Sequence, residues 1–215
     1  MSKPILHGAP LSPFVRKARV ALAEKGVDYE LDPLVPFGAA DEYKKLSPLK
    51  KIPCWEEGDF ALPDSSAIVA YLERIHPEPS LYPKDAKQFA RALWYEEYAD
   101  TKLAEVCTTP FFQRVVRAGL MKQTADEEAI QKVLAEVMPE VFDYLEGELD
   151  GREYLAGGQF SVADIAVGSM FVNFGHAGES VDASRWPRLV EYLGRVHGRP
   201  SYKAIIEAEK AALPS

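Results

Sequence analysis

The chain has 215 residues, 47% of them hydrophobic and 27% charged, a balance that excludes the disordered class and leaves room for one large domain or two small ones. Its net charge of −8 argues against general nucleic-acid or anionic-membrane binding, and no run approaches the roughly 20 apolar residues of a membrane span. The opening Met1-Ser2-Lys3-Pro4-Ile5-Leu6 lacks the apolar stretch of a signal peptide, so the cytoplasm is the expected location. Cys54 and Cys107 form neither a CxxC pair nor a disulfide framework, and the four histidines are scattered, so buried free thiols and no metal are expected.

Lys3 to Gly8 reads as a short apolar strand. Ser12-Pro13-Phe14 then opens an amphipathic helix carrying Val15, Ala18 and Leu22, which stops at Gly26. Val27 to Leu31 alternates like a second strand. A turn-rich segment with Pro33, Pro36 and Gly38 leads to a short helix expected over Ala39 to Leu46, followed by an extended stretch from Ser47 to Pro53. Cys54 to Glu56 and Phe60 to Leu62 flank Glu57-Gly58-Asp59 as a β-hairpin, and Asp64-Ser65 caps a helix through Ala67, Ile68, Tyr71, Leu72 and Ile75. The order βαβαββα gives a four-stranded mixed sheet with helices on both faces. Proline-rich His76 to Pro83 cannot continue a helix and marks a linker. Beyond Asp85 the pattern is helical, with breaks expected at Pro110, near Gln123-Thr124, over Gly147 to Gly158, over Gly175 to Pro187 and at Gly198-Arg199-Pro200. The expected architecture is therefore α+β: a first domain over residues 1–76, a linker over 77–85, and an all-α helical bundle over 86–215.

Several residues could carry chemistry. Ser12 before Pro13 is an ordinary helix start, and becomes more only if other ligand-holding groups converge on it. Ile52-Pro53 precedes a strand; a cis bond there would present the Ile52 backbone as an open edge for an extended peptide, while a trans bond would make it an ordinary loop. Lys51, or Lys50, could meet a carboxylate or simply be solvated. Asp64-Ser65 opens a helix whose free N–H groups suit a carboxylate, while Asp64 could accept from an ammonium. Together these groups fit a ligand with two carboxylates, one ammonium and a peptide backbone between them.

Glutathione has that pattern. Leu11-Ser12-Pro13-Phe14-Val15-Arg16-Lys17, Lys50-Lys51-Ile52-Pro53 and Asp64-Ser65-Ser66-Ala67-Ile68 resemble the three glutathione-site segments of the cytosolic glutathione transferases, in the serine-type form found in plant tau and related bacterial enzymes. Phe160-Ser161-Val162-Ala163-Asp164-Ile165 resembles the family's folding motif, with Ser161 and Asp164 in a capping-box pattern and Phe160 and Ile165 at staple positions. Trp186-Pro187-Arg188 and Arg199-Pro200-Ser201-Tyr202 match its C-terminal pattern, so the likeness spans nearly the whole chain.

The resemblance implies a thioredoxin-like first domain, glutathione as co-substrate, a small hydrophobic electrophile, and a homodimer. It implies that Ser12 donates to the glutathione sulfur, Ile52 pairs with the cysteinyl backbone beside Pro53, Lys51 or Lys50 meets the glycyl carboxylate, and Ser65 binds the γ-glutamyl carboxylate. Asp64 stands where the family more often has Glu, one methylene longer. Phe14, Phe111 and Phe112 are expected to meet substrate, the last two with Trp94, Tyr95 and Tyr98 suggesting an apolar pocket of the helical domain, while helical spacing would equally bury most of these aromatics as core. Rival readings are a non-catalytic interaction protein on the same fold, a glutathione-dependent peroxidase or isomerase, and a thiol–disulfide reductase, which would want a cysteine at position 12.

Overall fold

A computed structural model describes residues 3–34 and 41–213, and the chain divides into two compact units, Met1–Leu81 and Tyr82–Ser215. The expected turn residues Pro36 and Gly38, and Ala39 at the head of the expected second helix, lie outside the described residues.

In the first unit β1 (Ile5–His7) leads to α1 (Pro13–Glu24), β2 (Glu30–Asp32), a 3-10 turn (Asp41–Lys45), β3 (Cys54–Glu57), β4 (Phe60–Pro63) and α2 (Ser65–Ile75). The strands lie in the order β2-β1-β3-β4, with β1 and β2 parallel and the other neighbours antiparallel. This is the four-stranded mixed sheet that the order of elements predicts, in the thioredoxin-like form that the resemblance implies. One element differs: over the expected second helix the described residues form only a short 3-10 helix, and both α-helices pack on one face of the sheet instead of on both. The five residues of the 3-10 helix offer one buried apolar anchor, Tyr43, too little for an amphipathic face.

Register decides what each face of the sheet does. Leu6 stands opposite Leu31 and Trp55, and Trp55 opposite Leu62, so these share a face. Leu6 and Trp55 form one buried cluster with Val15, Ala18 and Leu22 of α1 and Ile68 and Leu72 of α2. The other face carries His7, opposite Asp32 and Cys54. The ring nitrogens of His7 lie 2.8 Å from Asp32 Oδ2 and 2.8 Å from Glu56 Oε2. These two contacts tie β1, β2 and β3 together through one side chain. Tyr43 meets this ring edge-on, with centroids 6.3 Å apart. Where the chain leaves α2, the buried Lys25 ammonium donates to Glu73 Oε2 (2.7 Å) and to the carbonyls of His76 (2.6 Å) and Pro79 (3.0 Å), pinning the proline-rich segment.

The second unit contains α3 (Ala86–Tyr98), a π-helical segment (Ala99–Leu103), α4 (Ala104–Phe111), a second π-helical segment (Phe112–Leu120), α5 (Glu127–Glu136), α6 (Met138–Glu148), α7 (Val162–His176), α8 (Pro187–His197) and α9 (Pro200–Lys210). The break expected at Pro110 does not occur; Pro110 is buried inside α4 beside Cys107 and Phe111. Burial and the π-helical segments on either side accommodate the missing N–H, and Thr108 and Thr109 donate to the carbonyls of Ala104 and Glu105 at 2.7 Å. A break that the sequence pattern conceals falls at Val137, because Pro139 fits only the first turn of a new helix. No helix is long and apolar enough to cross a membrane among the described residues.

Helix α7 is buried without interruption from Val162 to Phe174, with the polar Asp164, Ser169 and Asn173 included. Gly168 lets its neighbours close on it: a Cβ there would lie 2.6 Å from Val196 Cγ1 and 2.8 Å from the Tyr202 hydroxyl. The capping box at its start is formed. Asp164, fully buried, accepts from the N–H groups of Leu155 (3.0 Å) and Ser161 (2.9 Å) and from the hydroxyls of Ser161 (3.2 Å) and Tyr192 (3.0 Å). Burial pushes its carboxyl up to about 6, against the pull of these four donors.

Removing this group should be costly, since it strands several buried donors: Asp164→Ala is expected to lower unfolding free energy by about 3 kcal/mol or more in urea titrations. A raised carboxyl binds its proton more tightly in the folded chain, so its stabilisation is full below about pH 4 and falls as pH rises through about 6. The difference between wild type and variant should therefore be larger at pH 4.5 than at pH 7. A larger difference at pH 7 would mean that the four donors outweigh burial.

Candidate active site

Three segments of the first unit meet at one end of its sheet. Gly8 follows β1, and a Cβ there would fall 2.4 Å from Val15 Cγ2 and 3.4 Å from Ile52 Cβ. The end of β1, the first turn of α1 and Ile52 are thus packed to contact. Ser12 is the N-cap of α1, with Pro13 following at the head of the helix. Its Oγ accepts from the Val15 N–H at a long 3.4 Å, and no described residue accepts its hydroxyl proton. The hydroxyl is half-buried at the positive end of the α1 dipole. Phe14, one residue past Pro13, is half-buried.

The second segment is held by its backbone. The Lys51 carbonyl accepts from the Tyr43 hydroxyl (3.0 Å) and from Ser47 Oγ (2.8 Å), which also takes the Lys51 N–H (3.2 Å). Burial foremost pushes the Tyr43 phenol up to about 12, so it stays protonated and donates at any ordinary pH. Lys50 has a left-handed backbone, φ 52°, and its N–H donates to the Ser47 carbonyl (2.9 Å). The Lys51 side chain is exposed, and no described residue pairs with its ammonium. The Ile52-Pro53 bond is cis. Pairing of β3 begins only at Cys54, and the N–H and C=O of Ile52 are bonded by no described residue. A second cis bond, Glu78-Pro79, lies in the linker segment and was not signalled by any motif.

The third segment is tied to the second by the Asp64 N–H, which donates to the Pro53 carbonyl (3.2 Å). Asp64 caps α2 with one oxygen: Oδ1 accepts from the N–H groups of Ser66 (2.9 Å) and Ala67 (3.1 Å). Its φ of 82° is a conformation that non-glycine residues rarely adopt, of the kind that costs on the order of 1–3 kcal/mol and collects at functional sites. Ser65, 2% exposed, keeps both its N–H and its hydroxyl free of described partners at the head of α2. Lys17, buried on α1, donates from Nζ to Ser66 Oγ at 2.8 Å and brings a cation to this helix start.

Ser12, Lys50, Lys51, Ile52, Pro53, Asp64 and Ser65 thus belong to one neighbourhood of the first unit, whereas Phe111 and Phe112 lie in the second. There Phe111 is buried, and Phe112, 38% exposed, begins the second π-helical segment. Tyr95 is core, while Trp94 is 51% exposed and donates from Nε1 to the Tyr144 hydroxyl (2.7 Å). Two placed side chains escaped the sequence reading, Lys17 at the helix start and His7 between the strands. A cation among the buried positions of α1 was the available signal for Lys17; His7 gave none, because its carboxylate partners are 25 and 49 residues away. Neither thiol is poised to react. Burial, with the Glu56 charge adding to it, pushes Cys54 up to about 11, and burial alone pushes Cys107 well above the ordinary thiol range. Among the described residues no group of three or more His, Cys, Asp or Glu could hold a metal ion.

Comparison with known proteins identifies the family. Residues 6–80 match the family described as the glutathione S-transferase N-terminal domain, and residues 111–209 its C-terminal domain. A glutathione S-transferase of Triticum aestivum is 29% identical over 100% of this chain and 98% of its own length. The glutathione S-transferase theta-3 of Mus musculus is 30% identical over 80% of this chain and 72% of its own. The solved theta-class enzyme of Xanthomonas axonopodis pv. citri, with glutathione bound, superposes with a TM-score of 0.81 at 27% identity, covering 96% of this chain and 98% of that one. The matches run through both units in order, and the chain belongs to the glutathione S-transferase family.

Proposed function

We propose that this chain is a serine-type glutathione S-transferase, which binds glutathione across the three segments and activates its thiol with the Ser12 hydroxyl for attack on a small apolar electrophile. The observation that carries the reading is the set of uncommitted groups in one neighbourhood: the Ser12 hydroxyl proton, the Ile52 backbone edge and the Ser65 donors. Glutathione, the family's co-substrate, supplies a partner for each. Its cysteinyl backbone pairs with Ile52 as an added antiparallel strand, and its γ-glutamyl carboxylate docks on the Ser65 N–H and hydroxyl. The second oxygen of Asp64 then accepts from the ammonium, and Lys51 or Lys50 meets the glycyl carboxylate. The likeness to an enzyme solved with glutathione bound supports glutathione as the ligand.

The energetics suffice. A free thiol with a pKa of about 8.5 is only about 3% ionised at pH 7, and lowering it by about two units gives about 75%. A hydrogen bond to a charged group is worth roughly 1.5–3 kcal/mol, or about one to two such units. The dipole of α1 acts in the same direction. Rate enhancement is then a larger thiolate population together with the two reactants held close, and no general base is required. In the helical unit, Phe111 and Phe112 are proposed to receive the electrophile.

We read the chain as a cytoplasmic homodimer, as the family likeness suggests; in the helical unit, exposed Phe89, Leu93 and Trp94 are apolar surface that a second copy would cover. The domain limits proposed are 1–76 and 86–215, joined by the proline-rich linker. A non-catalytic interaction protein would have no need of a free hydroxyl at position 12 or of an open Ile52 edge.

Kinetics with glutathione and an activated chloronitrobenzene test this reading. Ser12→Ala should lower kcat/KM by about 10- to 100-fold near pH 7, with the gap narrowing as pH approaches about 9 and the free thiol ionises unaided. Equal rates would remove Ser12 from the mechanism. Ser65→Ala should instead raise KM for glutathione by about tenfold with little change in kcat, because it removes binding shared by ground and transition states.

A further inference from the structure

The helical unit has a concave feature of its own. A recess of about 430 Å3 is lined by Gln88 and Arg91 of α3 and by the loop after α6, including Arg152, Tyr154, Leu155 and Gly157. That volume suits a small molecule. The loop is tightly built. The Gly157 N–H donates to Gln88 Oε1 (3.0 Å), Gly157 has φ 67°, and a Cβ there would lie 2.9 Å from Pro83 Cγ. The Tyr154 ring is braced against Phe160, with centroids 5.9 Å apart.

Its chemistry comes from an imbalance. Glu148 Oε2 accepts from Arg91 Nη1 (3.2 Å), from Arg152 Nη1 (3.0 Å) and from the Tyr95 hydroxyl. The Tyr95 hydroxyl foremost, with Arg152 and Arg91, holds the Glu148 carboxyl below the usual carboxylate range. One carboxylate therefore serves two guanidiniums. Arg152 Nη1 also donates to the Tyr95 oxygen (3.3 Å), but Nε and Nη2 of both arginines meet no acceptor among the described residues. Both side chains are partly open to solvent, 49% and 40% exposed. A guanidinium fork with two free donors matches the oxygens of a carboxylate or a phosphate. Glu153, also on the wall, opposes an anion; its carboxylate lies 3.9 Å from Arg195 Nε.

The geometry points to a second ligand site in this recess, for a small molecule bearing a carboxylate or phosphate group, with Arg91 and Arg152 as its anchors and Tyr154 and Leu155 against its body. The chain's net charge of −8 gives such an anion no long-range help, so binding rests on short-range contacts and weakens with salt.

Calorimetric titration of the full chain with inorganic phosphate, and separately with citrate, in a low-salt buffer free of both, tests the site. Wild type should bind at least one of the two at a single saturable site; which one binds names the group recognised. Arg91→Gln and Arg152→Gln, each checked for folding by its melting temperature, should weaken binding by about tenfold or more, and Glu153→Gln should tighten it. Turnover of glutathione by the arginine variants should stay within about twofold of wild type, because neither residue belongs to the proposed transferase site. The site is refuted if neither anion binds saturably, or if both arginine variants bind as wild type does.

Discussion

The hydrogen bond from the Asp64 N–H to the Pro53 carbonyl, 3.2 Å long, joins the two halves of the candidate site. On one side of it Ile52 presents a backbone that has left the sheet; on the other, α2 begins with donors that have no helical partner. Asp64 reaches both by adopting a φ of 82°, and it holds that conformation because its own side chain caps the helix it starts. Ser12 reaches the same place by another route, through the close approach that Gly8 allows between β1, α1 and Ile52. The first unit is thus a scaffold for groups that its own secondary structure leaves unpaired.

That design answers a problem of charge. A protein at −8 that takes an anionic tripeptide cannot use its overall field. In the proposed reading it relies on helix starts, on backbone N–H groups and on a few placed cations, Lys17 behind the head of α2 and Lys51 at the open edge. The proposed Ser12 chemistry uses the same means. It stabilises a sulfur anion with a hydroxyl proton and the α1 dipole, where Cys54 and Cys107 are kept as thiols by burial. The opposite face of the sheet, with His7 between two carboxylates, serves to hold three strands in register.

What could be read from the chain followed the range of the interactions involved. Ser12, Asp64, Asp85 and Ser161 are legible as helix starts because a cap bonds its own next turn. The hairpin and the strand order follow from short connections. Pro110 was misleading because its local preference yields to burial within α4 and to π-helical segments that no propensity signals. Val137 was missed for the converse reason: apolar periodicity runs through it, and only the restriction that Pro139 places on a helix start divides α5 from α6. Lys17, His7 and Arg91 depend on partners 25 to 57 residues away, which spacing along one chain does not reveal. At the site, the motif segments were legible, while the strain at Asp64 and the open backbone of Ile52 required coordinates.

The central claim is that Ser12 lowers the pKa of the bound thiol, and ultraviolet absorbance of the thiolate measures that directly. Glutathione bound to wild type and to Ser12→Ala would be titrated from about pH 5 to about pH 10. The account predicts a thiol ionising one to two units below free glutathione in wild type, about where a hydroxyl hydrogen bond would place it, and a return toward the free value in the variant. Glutathione that binds both proteins with an unshifted thiol would contradict it.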